Sequence, residues 1–284
     1  MLPNRSSRTA LATAYLRAAH QILDAHPLLL DDPIAVQLLG KEAEQRIREG
    51  VERYLAPEGL ALRSHVVLRS RYAEDRLSSS LQRGVSQYVI VGAGFDTFAL
   101  RQPEWAAPLR IIEIDHAATQ AIKRSCIAAS GLKHPGNVVL ADIDLERESL
   151  LDGMLRHGVV LSRPTFFSWL GVTMYLTEVA INETLRIMAA FPAGSEVVLS
   201  FLQPATIDTE RALAARSRLT KLVADSGEPF TSYFDEQTME TKLRQVGFVS
   251  VEFLTSEIAL SRYFQHSSTA LPPPRRVGIV AAIR

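Results

Sequence analysis

The sequence predicts an α/β fold built on a parallel, doubly wound sheet, with helices before the sheet and an insertion after its fifth strand. From residue 87 onwards, short apolar runs alternate with segments of helical spacing, which is the pattern of repeated strand-helix units. The first run ends in Gly92-Ala93-Gly94, where glycines allow a sharp turn from strand into helix. The 284 residues, 47% of them hydrophobic, are enough to bury one large core.

The first 82 residues predict a helical cap. Residues 9–25 carry alanine and leucine at helical spacing, with Ser7 or Thr9 available as N-cap and Pro27 just beyond the end. Residues 31–53 and 60–82 also predict helices. Pro33 fits a first turn, and Pro57 and Gly59 are expected to separate the two segments.

The remaining elements follow in chain order. Strand-like runs occupy residues 87–91, 110–114, 137–140, 165–169 and 196–201. Residues 203–234 are polar, helix-compatible and broken at Gly227 and Pro229, so we interpret them as a lid insertion. A helix over 234–246 and strands over 248–254 and 277–283 complete the chain. We expect one domain over 1–284: cap 1–82, core 83–202 and 235–284, and lid 203–234.

The glycine turn predicts a cofactor cradle. A dinucleotide site needs a third glycine three residues after Gly94, but Thr97 stands there, which disfavours a diphosphate. Glu113 and Asp115 end the second predicted strand, where carboxylates accept hydrogen bonds from ribose hydroxyls. A nucleoside without a diphosphate indicates S-adenosylmethionine.

Several motifs together resemble the leucine carboxyl methyltransferase family, including its bacterial branch associated with polyketides and other secondary metabolites. Four blocks occur in the family's order: VGAGFDT at 91–97, EID at 113–115, DLER at 144–147 and WLGVTMYLT at 169–177. Upstream, DDPIA at 31–35 is similar to the family's Asp-Pro-Tyr-Ala element, and RSRYAED at 69–75 to its Arg-x-Arg-Tyr/Phe-x-x-Asp helix. The resemblance covers roughly residues 8–250.

The resemblance implies a Rossmann-like, seven-stranded sheet in which the last two strands form a hairpin and one strand is antiparallel. It also implies an S-adenosylmethionine-dependent methyltransferase. The implied cofactor-binding residues are Arg69, Gly92, Ala93, Gly94, Glu113, Asp115, Asp144 and Leu145.

Each implied role has an alternative. Asp115 is favoured over Glu113 as the ribose ligand, although both could be half-exposed at a strand end. Asp144 with the amide of Leu145 is implied as the adenine contact, but it competes with Asp142, and aspartates here also cap turns.

Arg69 is implied to bind the methionine carboxylate, which suits the two-pronged donor geometry of a guanidinium. Arginines recur along the same predicted helix at Arg63, Arg71 and Arg76. Arginines on helices are commonly solvated or paired with acidic neighbours, so the alternative for Arg69 is an ordinary ion pair.

One residue departs from the family pattern. Many relatives carry glutamate at the position of Leu170, facing the methionine end of the cofactor, and leucine cannot accept a hydrogen bond from the ammonium group. Backbone carbonyls near Phe167 and Ser168 are the alternative acceptors.

The acceptor pocket is expected near the fourth strand and the lid. Tyr175 follows that strand at the carboxyl edge, and Phe230, Tyr233 and Phe234 follow a hinge-like break. The alternative is that these rings pack onto the sheet. None of the histidines has a partner spacing that identifies a general base, so no catalytic residue is assigned. Methylation of a carboxylate on a small molecule is slightly favoured over methylation of a hydroxyl.

Two other functions stay open at this point. A nicotinamide or flavin oxidoreductase would need the missing third glycine. A protein that binds S-adenosylmethionine without catalysis is suggested by Leu170.

Composition argues against several partners. Lysine plus arginine and aspartate plus glutamate number 31 each, and no basic stripe is interleaved with aromatics, so nucleic acid is not expected. Cys126 is the only cysteine, which excludes an internal disulfide and a multi-thiolate metal site. We find no signal segment and no apolar run of spanning length, so we expect no membrane and a cytoplasmic location. The sequence does not predict the oligomeric state.

Overall fold

The protein is described from a computed structural model. The structure describes residues 7–145, 147–204, 217, 220–221, 223–225, 227–265, 271–274 and 278–284. Its seven-stranded sheet contains β1 Gln87–Val91, β2 Arg110–Asp115, β3 Val138–Asp142, β4 Thr165–Trp169, β5 Glu196–Ser200, β6 Ser250–Phe253 and β7 Ile279–Ile283.

The strand order is β3-β2-β1-β4-β5-β7-β6. The first five strands are parallel, and β7 pairs antiparallel with both β5 and β6. The predicted α/β fold and its terminal hairpin are confirmed. Since the order reverses between β1 and β4, their carboxyl ends border the crevice where open α/β sheets bind ligands.

The helices cover both sides of the sheet. They are α1 Arg8–Leu23, α2 Pro33–Leu39, α3 Ala43–Glu49, α4 Val51–Leu55, α5 Pro57–Ser80, α6 Phe98–Arg101, α7 Ala117–Ser130, α8 Leu150–Arg156, α9 Glu178–Ala189, α10 Glu236–Val246 and α11 Ser256–Ala259.

Alternate residues of each central strand enter two different cores. In β1, Tyr88 and Ile90 pack with α5 and α6 on one side, whereas Val89 and Val91 pack with α8, α9 and α10 on the other. Burial on both faces explains why these strands read as continuous apolar runs.

The cap differs from its prediction in two details. Residues 31–53 form three helices rather than one, separated around Gly40 and Gly50. Gly59 does not separate helices but lies inside the first turn of α5. A Cβ at Gly59 would come 2.1 Å from the carbonyl oxygen of Arg53. Glycine therefore allows the close approach of α4 to α5.

A buried ion pair holds α1 to α5. Asp24, immediately after α1, accepts two hydrogen bonds from Arg63, at 3.0 and 2.8 Å. His20 contacts the same carboxylate through Nδ1 at 2.6 Å, and its Nε2 accepts from the amide of Leu30. Although burial would raise the pKa of Asp24, its bonds to His20 and Arg63 hold it below the ordinary value.

The proposed lid is described only in part, because residues 205–216, 218–219, 222 and 226 lie outside the described residues. Its last part runs beside the connection that follows β4. The amide of Thr231 donates to the carbonyl of Met174 at 2.6 Å, and the amide of Phe234 donates to the carbonyl of Leu202 at 2.9 Å. Within the described ranges, no helix has the length and apolarity to cross a membrane.

Candidate functional site

The turn after β1 requires glycine at two positions. Gly92 and Gly94 have φ angles of 71° and 53°, values that favour glycine. A Cβ on Gly92 would lie 2.3 Å from Cγ2 of Val172, and one on Gly94 would lie 3.1 Å from Cβ of Ala10. The amides of Gly92 and Ala93 donate to the carbonyl of Ile114. The turn is thus held to β2 and lies close to α1.

Asp115 lies at the carboxyl end of β2, beside this turn. Its carboxylate accepts from the amides of Gly94 at 2.6 Å and His116 at 2.7 Å. Burial raises the pKa of Asp115, and the two backbone donors oppose this rise. Since a carboxylate has about four acceptor positions, Asp115 keeps capacity for further donors such as hydroxyl groups.

Glu113 has a different environment from Asp115. It is fully buried within β2 and forms an ion pair with Lys123 of α7. No residue in the described ranges bonds to its Oε1 atom. Glu113 thus lies beneath the edge rather than half-exposed at it.

Asp142 and Asp144 are distinguished by their partners. Asp142 pairs with Arg124 at 2.8 Å on the surface. Asp144 lies 3.9 Å from Nε2 of His116, next to the end of β2. His116 caps α7 through Nδ1. Asp142 is the register partner of Asp115 but is engaged by Arg124, whereas Asp144 lies beside the His116 ring that caps α7, and Leu145 packs on the core.

Three of the four arginines of α5 pair with an acidic residue, and the fourth has no such partner in the described part of the chain. Arg63 binds Asp24, Arg71 binds Asp75, and Arg76 binds Glu196 and Glu252. Arg69, by contrast, makes no hydrogen bond or ion pair with any residue the structure describes.

The Arg69 side chain is half-buried at the carboxyl edge of β4. Its guanidinium lies against Gly171, where an added Cβ would come 2.5 Å from Nη1. Burial lowers the pKa of Arg69, whereas Tyr175 and Asp96 oppose this and Arg17 adds to it, and together they set the pKa at about 10. The group stays charged at neutral pH, so a cation without a paired anion faces this edge.

A polar network that sequence analysis missed joins the cap to the glycine turn. Asp32 is fully buried and caps α2 through the amide of Ala35. The hydroxyl of Thr97 donates to Asp32 at 2.6 Å, and Nε of Arg101 lies 3.2 Å from it. Arg101 also binds Glu74 of α5. Thr97, first noted for the glycine it replaces, anchors the cap.

Arg17 adds a second connection between the cap and the turn. It lies 3.3 Å from Asp96 and donates to the carbonyl of Phe95. Because burial opposes ionisation, Asp96 depends on Arg17 and other cations to keep its pKa below the ordinary value. The signal for this pair was the acidic residue within VGAGFDT.

The aromatic residues expected around the acceptor do not lie together. Tyr175 and Phe230 are half-buried neighbours with ring centroids 5.6 Å apart. Phe234 is instead 6% exposed in the core beside Met239, and Tyr233 is 37% exposed at the surface. The expectation of a four-ring pocket needs correction, because the chain turns Phe234 into the core and Tyr233 outward.

The start of α1 contacts the lid. The Glu228 carboxylate accepts from the hydroxyl of Ser7 at 3.2 Å, the amide of Thr9 at 3.3 Å and the hydroxyl of Thr9. Burial raises the pKa of Tyr175, with a hydrogen bond to Thr9 acting against it. The end of the lid, the first turn of α1 and Tyr175 therefore meet over the same edge.

These features fit S-adenosylmethionine. A strand-to-helix turn with two glycines follows β1, and a carboxylate with spare acceptor capacity lies beside it at the end of β2. The guanidinium of Arg69, which no described residue pairs, lies where a carboxylate could bind. Leu170, beside the guanidinium, packs against the apolar core.

Comparisons with known proteins agree with this fit. A family model described as leucine carboxyl methyltransferase matches residues 10–189. The chain is 30% identical over 306 residues to YktD of Bacillus subtilis (strain 168), a protein named as an inferred S-adenosyl-L-methionine-dependent methyltransferase, with all of both chains covered. A similarly named protein of Mycobacterium sp. (strain KMS) is 26% identical and covers 82% of this chain and 80% of its own.

Solved structures share the fold. A DUF574 family protein from Streptomyces avermitilis MA-4680 superposes with a TM-score of 0.59 at 15% identity, covering 100% of this chain and 98% of that one. An inferred methyltransferase from Thermobifida fusca YX gives a TM-score of 0.54 at 16% identity, covering 87% and 91%.

Proposed function

Because this chain belongs to the leucine carboxyl methyltransferase family, we propose that it methylates an oxygen of a small molecule, with a carboxylate as the acceptor. Its activity as an S-adenosylmethionine-dependent methyltransferase follows from the family and from its relatives. The acceptor and the roles of individual residues are our proposals.

The observation that carries the residue assignment is the unpaired guanidinium of Arg69. Three neighbouring arginines of α5 have acidic partners, whereas Arg69 has none among the described residues. An unpaired, half-buried charge is costly unless a ligand compensates it. We assign Arg69 to the methionine carboxylate, which it would bind through paired hydrogen bonds.

The remaining cofactor contacts follow the edge of the sheet. The backbone of Gly92, Ala93 and Gly94, held at the end of β2 by Ile114, would lie against the cofactor, and Asp115 would accept from the ribose hydroxyls. Asp144 and the amide of Leu145 would contact the adenine. Glu113 would support β2 and α7 through Lys123 rather than contact the cofactor.

When bound, S-adenosylmethionine would supply a methyl group: its carbon-sulfur bond would break, with both electrons going to sulfur, as an acceptor oxygen formed the new carbon-oxygen bond. A carboxylate acceptor then releases no proton, whereas a hydroxyl acceptor must lose one. The protein's main tasks are alignment and exclusion of water. The contact of Glu228 with Ser7 and Thr9 supports a closed cover over the site.

Two of the seven histidines are engaged elsewhere in the fold. His20 is occupied by Asp24 and Leu30, and His116 caps α7, so neither is available as a base. A carboxylate is already a nucleophile at neutral pH and needs no base. The oxidoreductase alternative is disfavoured because Thr97, at the position of the third glycine, is bonded to Asp32.

Two measurements test the proposal. Calorimetry should detect binding of S-adenosylhomocysteine but not of NAD⁺. Transfer of labelled methyl from S-adenosylmethionine to a panel of aromatic carboxylic acids and phenols should then give products whose label is released by mild base, as methyl esters release it. Label stable to base would indicate an ether and a hydroxyl acceptor. Binding of NAD⁺ without S-adenosylhomocysteine would contradict the cofactor assignment.

A further inference from the structure

The imidazole of His65 is a polar group with no role in the proposed cofactor contacts. His65 lies on α5 one turn before Arg69 and is half-buried. Among the residues described, it has no hydrogen-bond or ion-pair partner. His20 and His116, in contrast, both bond through their rings. A half-buried imidazole without a partner has capacity for a ligand.

The direction of α5 locates His65 relative to the sheet. Arg76 binds Glu196, the first residue of β5, whereas Arg69 lies against Gly171, just after the end of β4. Because β4 and β5 are parallel, the chain from Arg76 back to Arg69 runs from the amino end to the carboxyl end of these strands. Four further residues place His65 about 6 Å beyond Arg69, above the carboxyl edge.

His65 shares one face of α5 with the residues that contact the sheet. Residues 65, 69, 72 and 76 are spaced by four, three and four, so they lie on one side of the helix. Tyr72, between Arg69 and Arg76, is fully buried in the core against the sheet. At Tyr72 and Arg76 this side of α5 therefore faces the sheet, and at Arg69 and His65 it faces the carboxyl edge of the strands.

The environment of His65 keeps its ring neutral. Burial, and to a lesser extent the positive charge of Arg69, together lower the pKa of His65 to about 3. The ring is thus neutral at pH 7 and is a poor base for removing a proton from a hydroxyl. A neutral imidazole still donates one N–H, which an oxygen of a carboxylate can accept.

We propose that His65 is an acceptor-contacting residue that donates a hydrogen bond to one oxygen of a carboxylate acceptor and leaves the other oxygen free to attack. The proposal rests on the proposed function, since Arg69 must hold the cofactor for the acceptor to lie one turn further along α5. Tyr175 and Phe230, whose rings lie 5.6 Å apart, provide an aromatic wall near Arg69 that suits an aromatic carboxylate.

Benzoate binding to the complex with S-adenosylhomocysteine tests this role. His65→Asn should bind S-adenosylhomocysteine within about twofold of the wild type, because His65 is not assigned to the cofactor. Its affinity for benzoate should fall about tenfold, the loss of one hydrogen bond to a charged group. Asparagine and glutamine both carry an amide N–H, but the shorter side chain of His65→Asn ends well short of the outer ring nitrogen of histidine, whereas that of His65→Gln extends further and should recover part of the affinity. His134→Asn, at an exposed histidine after α7, should match the wild type.

Spectroscopy gives a second readout. With ¹³C-labelled histidine, the ring signal missing from His65→Asn identifies His65, and benzoate should shift that signal in the wild-type complex. Equal benzoate affinities for wild type and His65→Asn, or no benzoate binding to the wild-type complex, would overturn the role of His65. Failure of the wild type to bind S-adenosylhomocysteine would instead overturn the proposed function.

Discussion

The guanidinium of Arg69 lies against the α-carbon of Gly171, so closely that a Cβ on Gly171 would come 2.5 Å from Nη1 and 2.8 Å from Cζ. Gly171 has a φ of 75° and directly follows Leu170 after β4. The absence of a side chain at Gly171 therefore decides where the charge of Arg69 lies.

Gly171→Ala should displace the Arg69 side chain and weaken binding of S-adenosylhomocysteine about tenfold, because the guanidinium is flexible and moves before the backbone does. The matched control is Gly131→Ala, since Gly131 has a φ of 70° and no atom within 4 Å of an added Cβ. The free energy of unfolding should fall by about 1 kcal/mol in both variants, because alanine is strained at a positive φ. Calorimetry and thermal unfolding separate the two effects, and equal affinities in the two variants would contradict the placement of Arg69.

Arg69→Met should weaken the binding of S-adenosylhomocysteine by about 1.5 to 3 kcal/mol, roughly ten- to hundredfold in affinity. The same change should raise the unfolding free energy of the free protein by about 1 kcal/mol, because it removes a half-buried charge without a partner. Arg71→Met, which removes a partly exposed pair with Asp75, is the control and should leave affinity unchanged. A stability loss in Arg69→Met would indicate that Arg69 has a structural partner.

The strands were predictable because both sides of the sheet are buried, which makes each central strand a continuous apolar run such as Gln87–Val91. Whether Arg69 is paired was not predictable in the same way. Arg63 and Arg76 find partners 39 and 120 residues away in sequence, at Asp24 and Glu196. Whether an arginine is paired therefore depends on tertiary contacts that helical spacing does not contain.

Thr97→Val should destabilise the protein by about 1.5 to 3 kcal/mol, because it leaves the buried carboxylate of Asp32 without one of its donors. Cofactor affinity should also fall, since Thr97 joins the cap to the glycine turn. Thr165→Val removes a comparable buried hydroxyl, bonded to Gln87 at the amino end of β4. We expect similar destabilisation there without loss of affinity. Loss of affinity in both variants would show a general effect of stability.

Asp24→Asn should lower the unfolding free energy at pH 7 by about 3 to 5 kcal/mol, because Arg63 would remain buried with its charge uncompensated. In the wild type the folded-state pKa of Asp24 lies below its ordinary value of 3.8. Its contribution is therefore complete above about pH 4 and is lost as the pH falls through the folded-state pKa.

Denaturant unfolding between pH 7 and pH 3 checks this dependence. The difference between wild type and Asp24→Asn should shrink toward the acid end of that range. Glu44→Gln is the control, since its pair with Arg48 is more than half exposed and should contribute less than about 1 kcal/mol. A difference that stays constant with pH would contradict an ionised Asp24.

The candidate site was predictable where its residues follow strands and not where they lie in loops. Asp115 ends β2, so its position at the edge follows from strand direction. Glu113 shares its side of the strand, but only the fold reveals Lys123 as its partner. Phe230 and Phe234 differ in burial because the connection between them is irregular, and periodicity gives no orientation there.

The most direct test of the account is a crystal structure of the wild-type protein with S-adenosylhomocysteine. We expect the Arg69 guanidinium within hydrogen-bond distance of the methionine carboxylate, with Asp115 accepting from the ribose hydroxyls. A complex in which that carboxylate is held by other residues, while Arg69 stays unpaired against Gly171, would contradict the central claim.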